Sequence, residues 1–328
     1  MKRYEKITLN GNEKILIMPP SGLGDFIKDL GIINSIKEKY PNIKIDISYI
    51  NNQVEEISKF NKNINSLIKF RIRRFNFLDY LLYFTHNGWK DIGLLNKKKY
   101  DLIISLTKNP LRRFIIRFVK AKEKIMIESN RSNIKKEYGC LDILKINKIS
   151  KKDFLDNNIV NRINVSWEIT NYLSKEKKNL IVNMFCADSP KSQKDWDKWE
   201  ELIDYIKKDY NIILIGKVNF DYKKYYKIDY NKVIDLINKT NIEETVFLIN
   251  KSDIIISVDS FIFHLSYALN KKTIGLFGPY DPNYLIPKVK YEEVITLFSK
   301  SYGIIEETKK IKLKEVLNVI KILQNGKN

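Results

Sequence analysis

Three side chains suited to binding a phosphate group lie close together after one apolar run. The run Ile254–Val258 is short and rich in β-branched residues, which predicts a buried parallel strand, and it ends at Asp259 and Ser260. Apolar residues at helical spacing follow as far as Leu269, and His264 lies within this helix. A hydroxyl, a helix start and a histidine at the end of a parallel strand form a suitable phosphate site.

A second apolar run completes this unit. Thr273–Phe277 reads as a strand that ends at Gly278 and Pro279. Strand, helix and strand therefore predict one βαβ unit, whose first turn carries the candidate phosphate site at the carboxyl end of a parallel sheet.

A carboxylate follows the first apolar run of the chain in a similar way. The run at residues 14–18 ends in a loop that contains Gly22 and Gly24, and a helical pattern begins at Asp25. This loop is not a dinucleotide fingerprint, because the third glycine of G-x-G-x-x-G would fall at Ile27. Taken alone, the loop predicts a tight turn with Asp25 as a helix cap.

A lysine follows the strand predicted at residues 179–184. Ser189 comes soon after this strand, and Lys194 and Trp196 form a K-x-W sequence before the next helix. A lysine at a helix start usually lies in solvent. Next to the phosphate site described above, however, it would place a cation where negative charge develops on a departing phosphate.

These three segments together resemble the ADP-heptose heptosyltransferases of glycosyltransferase family 9. Residues 259–264 resemble the family sequence D-[TS]-G-x-x-H, with Phe261 in the usual glycine position. The loop at Asp25 resembles the family's S-x-G-D loop, and Lys194 with Trp196 resembles its K-x-W sequence. The segments come in family order, so the resemblance covers most of the chain.

The resemblance implies a GT-B fold, in which two Rossmann-like, doubly wound α/β domains face each other. It implies that Asp25 acts as the base on an acceptor hydroxyl and that Lys194 stabilises the leaving diphosphate. The implied donor-binding residues are Gly24, Ser189, Asp221, Asp259, Ser260, His264 and Gly278. The donor substrate would be ADP-heptose, transferred with inversion by direct displacement, without a metal or a cofactor.

Basic residues are concentrated in the first half of the chain. Residues 1–150 contain 30 Lys and Arg against 15 Asp and Glu, in a protein of net charge +20. Such a half can bind nucleic acid, an anionic membrane surface or a phosphorylated acidic substrate, and charge alone does not choose among them. Residues that could hold an acidic glycan or glycolipid acceptor, of the lipopolysaccharide or lipooligosaccharide core type, are Arg71, Arg73, Arg74, Lys108, Arg112 and Arg113.

Alternating apolar runs and helical patterns predict a two-domain organisation. We expect an acceptor-binding domain at residues 1–160, a nucleotide-sugar-binding domain at 161–310, and a C-terminal helix at 311–328 that packs back on the first domain. A very polar helix is expected to open at Asp221. With 328 residues, 44% of them hydrophobic, the chain can form two cores of ordinary size.

The sequence lacks the signals of membrane insertion and of metal binding. It has no run of about 18 apolar residues, and residues 1–6 lead into no apolar signal region. We therefore expect a cytoplasmic protein, with peripheral contact at the inner membrane surface as one option. Cys140 and Cys186 have neither the spacing of a zinc site nor that of a disulfide framework.

Three other functions remain open from the sequence. The same scaffold could use another nucleotide sugar, for capsule, another glycan or protein glycosylation. A basic chain could bind nucleic acid, but no RNA or DNA recognition motif is present and no nucleic-acid partner is expected. Finally, Phe261 would fit a protein that binds a nucleotide sugar without transferring it.

Overall fold

The computed structural model contains two compact units. It describes residues 6–20, 22–72, 81–127, 136–147, 150, 154–286, 293–301, 304–305 and 307–325. Contacts between residues divide the chain between Phe154 and Leu155. Each unit contains one parallel β-sheet with helices, so the chain has the predicted α/β class with two doubly wound sheets.

The first unit contains a five-stranded parallel sheet in the order β3-β2-β1-β4-β5. Its strands are β1 (Lys14–Met18), β2 (Lys44–Tyr49), β3 (Ser66–Lys69), β4 (Tyr100–Ser105) and β5 (Ala121–Met126). Four residues of β1 and five of β2 are buried. Isoleucine-rich runs suit such positions, because a parallel sheet is covered on both faces.

The helices of the first unit follow the strands in alternation. They are α1 (Leu23–Lys39), α2 (Asn52–Ser58), α3 (Gly88–Lys98), α4 (Pro110–Phe118) and α5 (Lys136–Ile143), with a π-helix at Tyr83–Asn87. Local sequence fixes two of the starts, since the side chains of Asn51 and Asn109 accept backbone N–H groups of the first turns of α2 and α4.

The second unit contains a six-stranded parallel sheet in the order β11-β10-β9-β6-β7-β8. Its strands are β6 (Lys178–Asn183), β7 (Tyr210–Leu214), β8 (Ile234–Asp235), β9 (Ile254–Val258), β10 (Thr273–Phe277) and β11 (Val294–Phe298). A small antiparallel pair, β12 (Lys300–Ser301) with β13 (Ile304–Ile305), follows. The predicted βαβ unit is confirmed, because β9 and β10 are parallel neighbours joined through a helix.

The helices of the second unit are mostly short. They are α6 (Asn157–Val160), α7 (Trp167–Asn171), α8 (Trp199–Ile206), α9 (Ile242–Lys251), α10 (Phe261–Ala268), α11 (Pro282–Leu285) and α12 (Leu313–Asn325). Asn241 and Glu244 form a capping box at the start of α9. Within the described part of the chain, no helix is both long and apolar enough to cross a membrane.

One expected element differs in the structure, and a second expectation is not tested by it. Asp221 does not open a long helix, because only the 3₁₀ turn Tyr222–Lys224 follows it. The C-terminal helix α12 belongs to the second unit, and its predicted packing on the first domain stays a prediction. It contacts α8, β10 and β11, and Val316 and Ile320 are buried in the core of the second unit. The apolar stripe of α12 was predicted correctly, but an amphipathic pattern does not specify which surface covers the stripe.

The segment before α12 fits tightly against the end of β10. Gly278 follows β10, and a Cβ atom on this glycine would lie 2.1 Å from the backbone nitrogen of Thr308. That N–H group donates a hydrogen bond to the Gln193 carbonyl at 2.9 Å. Gly278 therefore allows the final segment to reach the loop that carries Lys194.

We predict that Gly278→Ala destabilises the second unit by about 1–3 kcal/mol or more, because the new methyl group meets backbone rather than a side chain that can move. The matched control is Gly93→Ala in α3, where nothing lies within 4 Å of the added atom. This control should be neutral or stabilising by about 0.5–1 kcal/mol. Urea unfolding measures both variants, and equal unfolding midpoints would contradict the prediction.

Candidate active site

The candidate phosphate site lies where the strand order of the second sheet reverses. β6 has β7 on one side and β9 on the other, and all three strands are parallel. Ligands of doubly wound sheets bind at such a reversal, outside the carboxyl ends of the strands. Asn183 ends β6, and the turn at Asp259 and Ser260 follows β9, so polar groups from both strands meet at this edge.

Ser260 is held as the N-cap of α10 by a small polar network. Its hydroxyl accepts a hydrogen bond from the Ile262 N–H at 3.2 Å and donates one to Asn183 Oδ1 at 2.7 Å. The Ser257 hydroxyl also donates to Asn183 Oδ1, at 3.0 Å. The first turn of α10 thus begins at the carboxyl edge, where helix N–H groups and the positive end of the helix dipole favour an anion.

Asp259 forms the centre of a charged group that we term the carboxylate cluster, made of Lys194, Asp259 and His264. Lys194 Nζ lies 2.8 Å from Asp259 Oδ2, and His264 Nε2 lies 3.4 Å from Asp259 Oδ1. The side chains of Asp259 and His264 are each 8% exposed. The predicted neighbours Lys194, Asp259, Ser260 and His264 are therefore brought together by the fold.

Both members of the ion pair have shifted pKa values. Burial raises the pKa of Asp259, but the hydrogen bond and charge of His264 and the Lys194 ammonium outweigh burial, so the pKa lies well below its usual value. Burial lowers the pKa of Lys194, but attraction to Asp259 outweighs it, so this pKa is raised. Lys194 is thus protonated and Asp259 ionised at neutral pH.

The Lys194 side chain also lies against an aromatic ring. Its ammonium nitrogen is 5.2 Å from the centre of the Tyr280 ring, and its side chain is 19% exposed. The carboxylate and the ring face both attract the ammonium group, and together they restrict its position. With His264 neutral, the carboxylate cluster has no net charge; with His264 protonated, its charge is +1.

The loop before Lys194 is shaped by internal hydrogen bonds. The Ser189 hydroxyl accepts the Cys186 N–H at 3.0 Å and donates to the Asp195 carboxylate. The other oxygen of Asp195 accepts the Ser192 N–H at 2.9 Å. Ser189 therefore helps to build the loop, and its predicted contact with the donor stays a prediction.

The segment before α12 also forms hydrogen bonds with this loop, through Thr308 and Ile311. Trp196 is fully buried, as expected for a core residue, and its indole N–H donates to the Ile311 carbonyl at 2.9 Å. The Thr308 N–H donates a hydrogen bond to the Gln193 carbonyl at 2.9 Å. Gln193, which precedes Lys194, and Trp196, which follows it by two positions, are therefore both hydrogen-bonded to the segment before α12.

In the first unit, Asp25 lies in the first turn of α1. Its carboxylate forms an ion pair with Lys28 at 2.7 Å, and its side chain is 45% exposed while that of Lys28 is 10% exposed. An oriented and accessible carboxylate suits a general base. Gly24 is part of the same helical turn, and its predicted role in donor binding stays a prediction.

Arg112, one of the basic residues assigned to an acceptor, is buried in the structure, so the expectation for this residue is corrected. Arg112 is 2% exposed; its guanidinium donates to the Pro19 carbonyl at 2.7 Å and to the Ser48 hydroxyl at 3.3 Å. Burial lowers the pKa of Arg112 to about 10, so it stays charged. Arg71 pairs with the buried Asp91, but its own side chain is 47% exposed, so an acceptor role for Arg71 stays a prediction.

The other acceptor candidates are not tested in the same way. Lys108 and Arg113 are exposed, so an acceptor role for them stays a prediction. Arg73 and Arg74 lie outside the described residues. Asp221, proposed to hold the donor, is 57% exposed and pairs with Lys224 at 3.1 Å. Gly278 has a packing contact with Thr308, and any donor contact would come in addition.

Sequence reasoning missed Asn183, Asp195 and Tyr280. Asn183 was detectable, because it is the polar last residue of an apolar strand that ends at the predicted site. Asp195 and Tyr280 had no such signal. Their contacts with Ser189 and Lys194 come from how loops fold over the sheet edge.

Among the described residues, no three His, Cys, Asp or Glu side chains form a group that could hold a metal.

Comparison with known proteins identifies similar sequences. Residues 92–315 match the model of glycosyltransferase family 9 (heptosyltransferase). The lipopolysaccharide heptosyltransferase 3 of Escherichia coli is 24% identical over 281 residues, which cover 79% of this chain and 81% of that protein.

Solved structures show the same fold. A family 9 glycosyltransferase from Veillonella parvula superimposes with a TM-score of 0.70 at 15% identity, covering 95% of this chain and 97% of the other. The E. coli heptosyltransferase WaaC with ADP gives a TM-score of 0.69 at 18% identity, covering 95% and 100%. The fold of this chain is therefore the GT-B fold of these proteins.

We predict that Lys194→Met destabilises the second unit by about 3 kcal/mol, because it leaves the buried Asp259 carboxylate without its cation. The double variant Lys194→Met with Asp259→Asn should recover part of this loss. Urea unfolding of the single and double variants gives the coupling energy.

The control for this cycle is Lys207→Met, which removes the pair with Asp204, whose side chain is 72% exposed. Its effect should stay below about 1 kcal/mol. Additive effects of the Lys194 and Asp259 changes would show that the pair does not stabilise the fold.

Proposed function

The chain belongs to glycosyltransferase family 9, and we propose that it transfers a heptose from ADP-heptose to a hydroxyl of an acidic glycan or glycolipid of the lipopolysaccharide or lipooligosaccharide core type. The observation that carries this proposal is the carboxylate cluster at the N-terminus of α10, on the carboxyl edge of a doubly wound sheet. This edge combines a fixed ammonium group with helix N–H groups. Both suit a diphosphate.

The proposed reaction is a direct displacement. The acceptor hydroxyl oxygen bonds to the anomeric carbon of the donor as the bond from that carbon to the diphosphate oxygen breaks. Asp25 takes the proton of the attacking hydroxyl, and the electron pair of the broken bond leaves with ADP. Attack from the face opposite the leaving group inverts the anomeric centre.

Lys194 stabilises the leaving group in this proposal. Negative charge on the departing diphosphate grows as the bond breaks, so a fixed cation is worth more in the transition state than in the ground state. Because Lys194 and the start of α10 supply this positive electrostatic environment, we expect donor binding to be insensitive to magnesium and to chelators.

Two further observations support the donor and acceptor classes. The similar protein WaaC was solved with ADP, and the E. coli relative is named as a lipopolysaccharide heptosyltransferase. The excess of basic residues in the first half of this chain would attract an acidic acceptor.

Phe261 favours a second candidate, the same reaction type with another nucleotide sugar. This residue is the first of α10 and is partly exposed, so its Cβ and ring border the site where the family usually has a glycine. A side chain there restricts how closely a phosphate approaches the backbone.

A binding screen separates the two candidates. We expect calorimetry to show preference for ADP and ADP-heptose over UDP, GDP and CDP, with equal affinities in magnesium and in EDTA. Preference for another nucleotide would support a glycosyltransferase that uses a different nucleotide sugar as its donor. Absence of binding to every nucleotide would contradict the proposed site.

Replacing the proposed base tests the chemical step separately. Asp25→Asn should lower turnover by about a hundredfold or more, because the amide cannot accept the hydroxyl proton, while ADP affinity changes by less than a few-fold. The control is Asp142→Asn, an acidic residue of the same unit whose side chain is 71% exposed. A loss of ADP affinity as large as the loss of turnover would contradict the role of Asp25 as base.

A further inference from the structure

A group of four aromatic side chains lies at the surface of the first unit, two of them exposed and two partly buried. We term it the aromatic surface: Phe84 from the π-helix, Trp89 from α3, and Phe114 and Phe118 from α4. Ring centres are 5.0 Å apart for Phe84 and Phe114, 5.3 Å for Phe114 and Trp89, and 4.7 Å for Trp89 and Phe118. The rings therefore form one continuous patch, and the proposed reaction uses none of them.

The patch concentrates the exposed apolar side chains of its unit. Among the described residues of the first unit, the large apolar side chains that are exposed are Leu81 (49%), Leu82 (55%), Trp89 (47%) and Phe118 (39%). Leu81 and Leu82 directly precede the π-helix that carries Phe84. Exposed apolar side chains that are grouped in this way are typical of an interaction site.

The surroundings of the patch are basic. Residues 81–120 contain nine Lys and Arg but only Asp91 and Asp101 as acidic residues. Asp91 is buried against Arg71, and Asp101 pairs with Lys122 at 2.8 Å. The remaining charge near the rings is positive: Lys90, Arg113, Arg117 and Lys120 are exposed. The Arg117 guanidinium lies 5.8 Å from the centre of the Phe118 ring.

We propose that the aromatic surface docks this protein on an anionic lipid bilayer. Tryptophan favours the headgroup region of a bilayer, because its ring combines a large apolar body with a polar N–H group. Phenylalanine rings beside it add apolar area of the kind that interfacial proteins bury at the boundary of the acyl chains. Lysine and arginine near the surface are attracted by anionic headgroups. Leu81 and Leu82 add apolar area that can enter the boundary of the acyl chains.

Charge favours a bilayer over a second copy of the chain. In a twofold dimer, the same patch would face itself, so the exposed lysines and arginines of both copies would come together. Like charges brought together in this way are repulsive. An anionic bilayer covers the rings and neutralises the cations at the same time.

Vesicle flotation tests the proposal with the full-length protein. We expect binding to vesicles that contain phosphatidylglycerol and much weaker binding to vesicles of phosphatidylcholine alone. Binding should fall in about 1 M salt, where charges are screened beyond about 3 Å.

Two pairs of substitutions test the two parts of the surface. Trp89→Ser with Phe118→Ser removes exposed rings, and Lys90→Glu with Arg117→Glu reverses exposed charges. Each pair should weaken binding to the anionic vesicles by about tenfold or more. The charge-reversal pair lies at exposed positions, so it keeps the test valid if the ring variant is poorly folded.

Matched controls come from the second unit. Trp167→Ser changes a tryptophan that is 77% exposed, and Lys208→Glu reverses an exposed lysine. Both controls should bind vesicles like the unchanged protein. ADP affinity should be unchanged in all variants, which separates this inference from the proposed donor chemistry.

Three results would overturn the proposal. One is an absence of binding to phosphatidylglycerol vesicles. Another is vesicle binding that responds equally to the patch variants and to the controls. The third is a dimer, detected by sedimentation, that dissociates when Trp89 and Phe118 are replaced, since this would assign the surface to a second copy.

Discussion

A carboxylate buried at the edge of the second sheet constrains much of the surrounding structure. Burying an ionised group is costly unless a partner of opposite charge and hydrogen bonds stabilise it. Asp259 meets this requirement through Lys194 and His264. Lys194 comes from a distant loop, so this loop must be fixed by Asp195 and by backbone near Thr308. The backbone contact of Thr308 and the absence of a side chain at Gly278 contribute to the same arrangement.

The first sheet carries a buried cation among the turns that follow its strands. The Arg112 guanidinium contacts the Pro19 carbonyl after β1, the Ser48 hydroxyl of β2 and the Phe70 ring after β3. These contacts join the carboxyl ends of three strands at the edge from which α1, with Asp25, begins. An arginine suits this position because its planar group donates in several directions and stacks on a ring. Arg112 therefore shapes the edge of the sheet from within.

The carboxylate cluster also has a consequence for the proposed reaction. A lysine without a partner would bind any anion strongly, including the substrate in its ground state. In this structure, Asp259 already balances the charge of Lys194 and holds it in place. In the proposed reaction, this pre-oriented cation would attract the diphosphate more strongly as negative charge develops on the leaving group. Such preorganisation is an efficient form of electrostatic stabilisation.

The sequence alone determined the α/β class, the strands that end at the candidate site residues, and the grouping of Asp259, Ser260 and His264, because these depend on local apolar periodicity and on a short turn. The place of Lys194 at the site followed from the family resemblance, and Asn183 was detectable at the end of its strand. Only the tertiary structure decided that Arg112 is buried, that α12 packs on the second sheet, and that Asp195 and Tyr280 support the site. These outcomes depend on contacts between residues far apart in the chain, and a pattern of residue types does not specify which distant surface covers an apolar stripe or surrounds a charge.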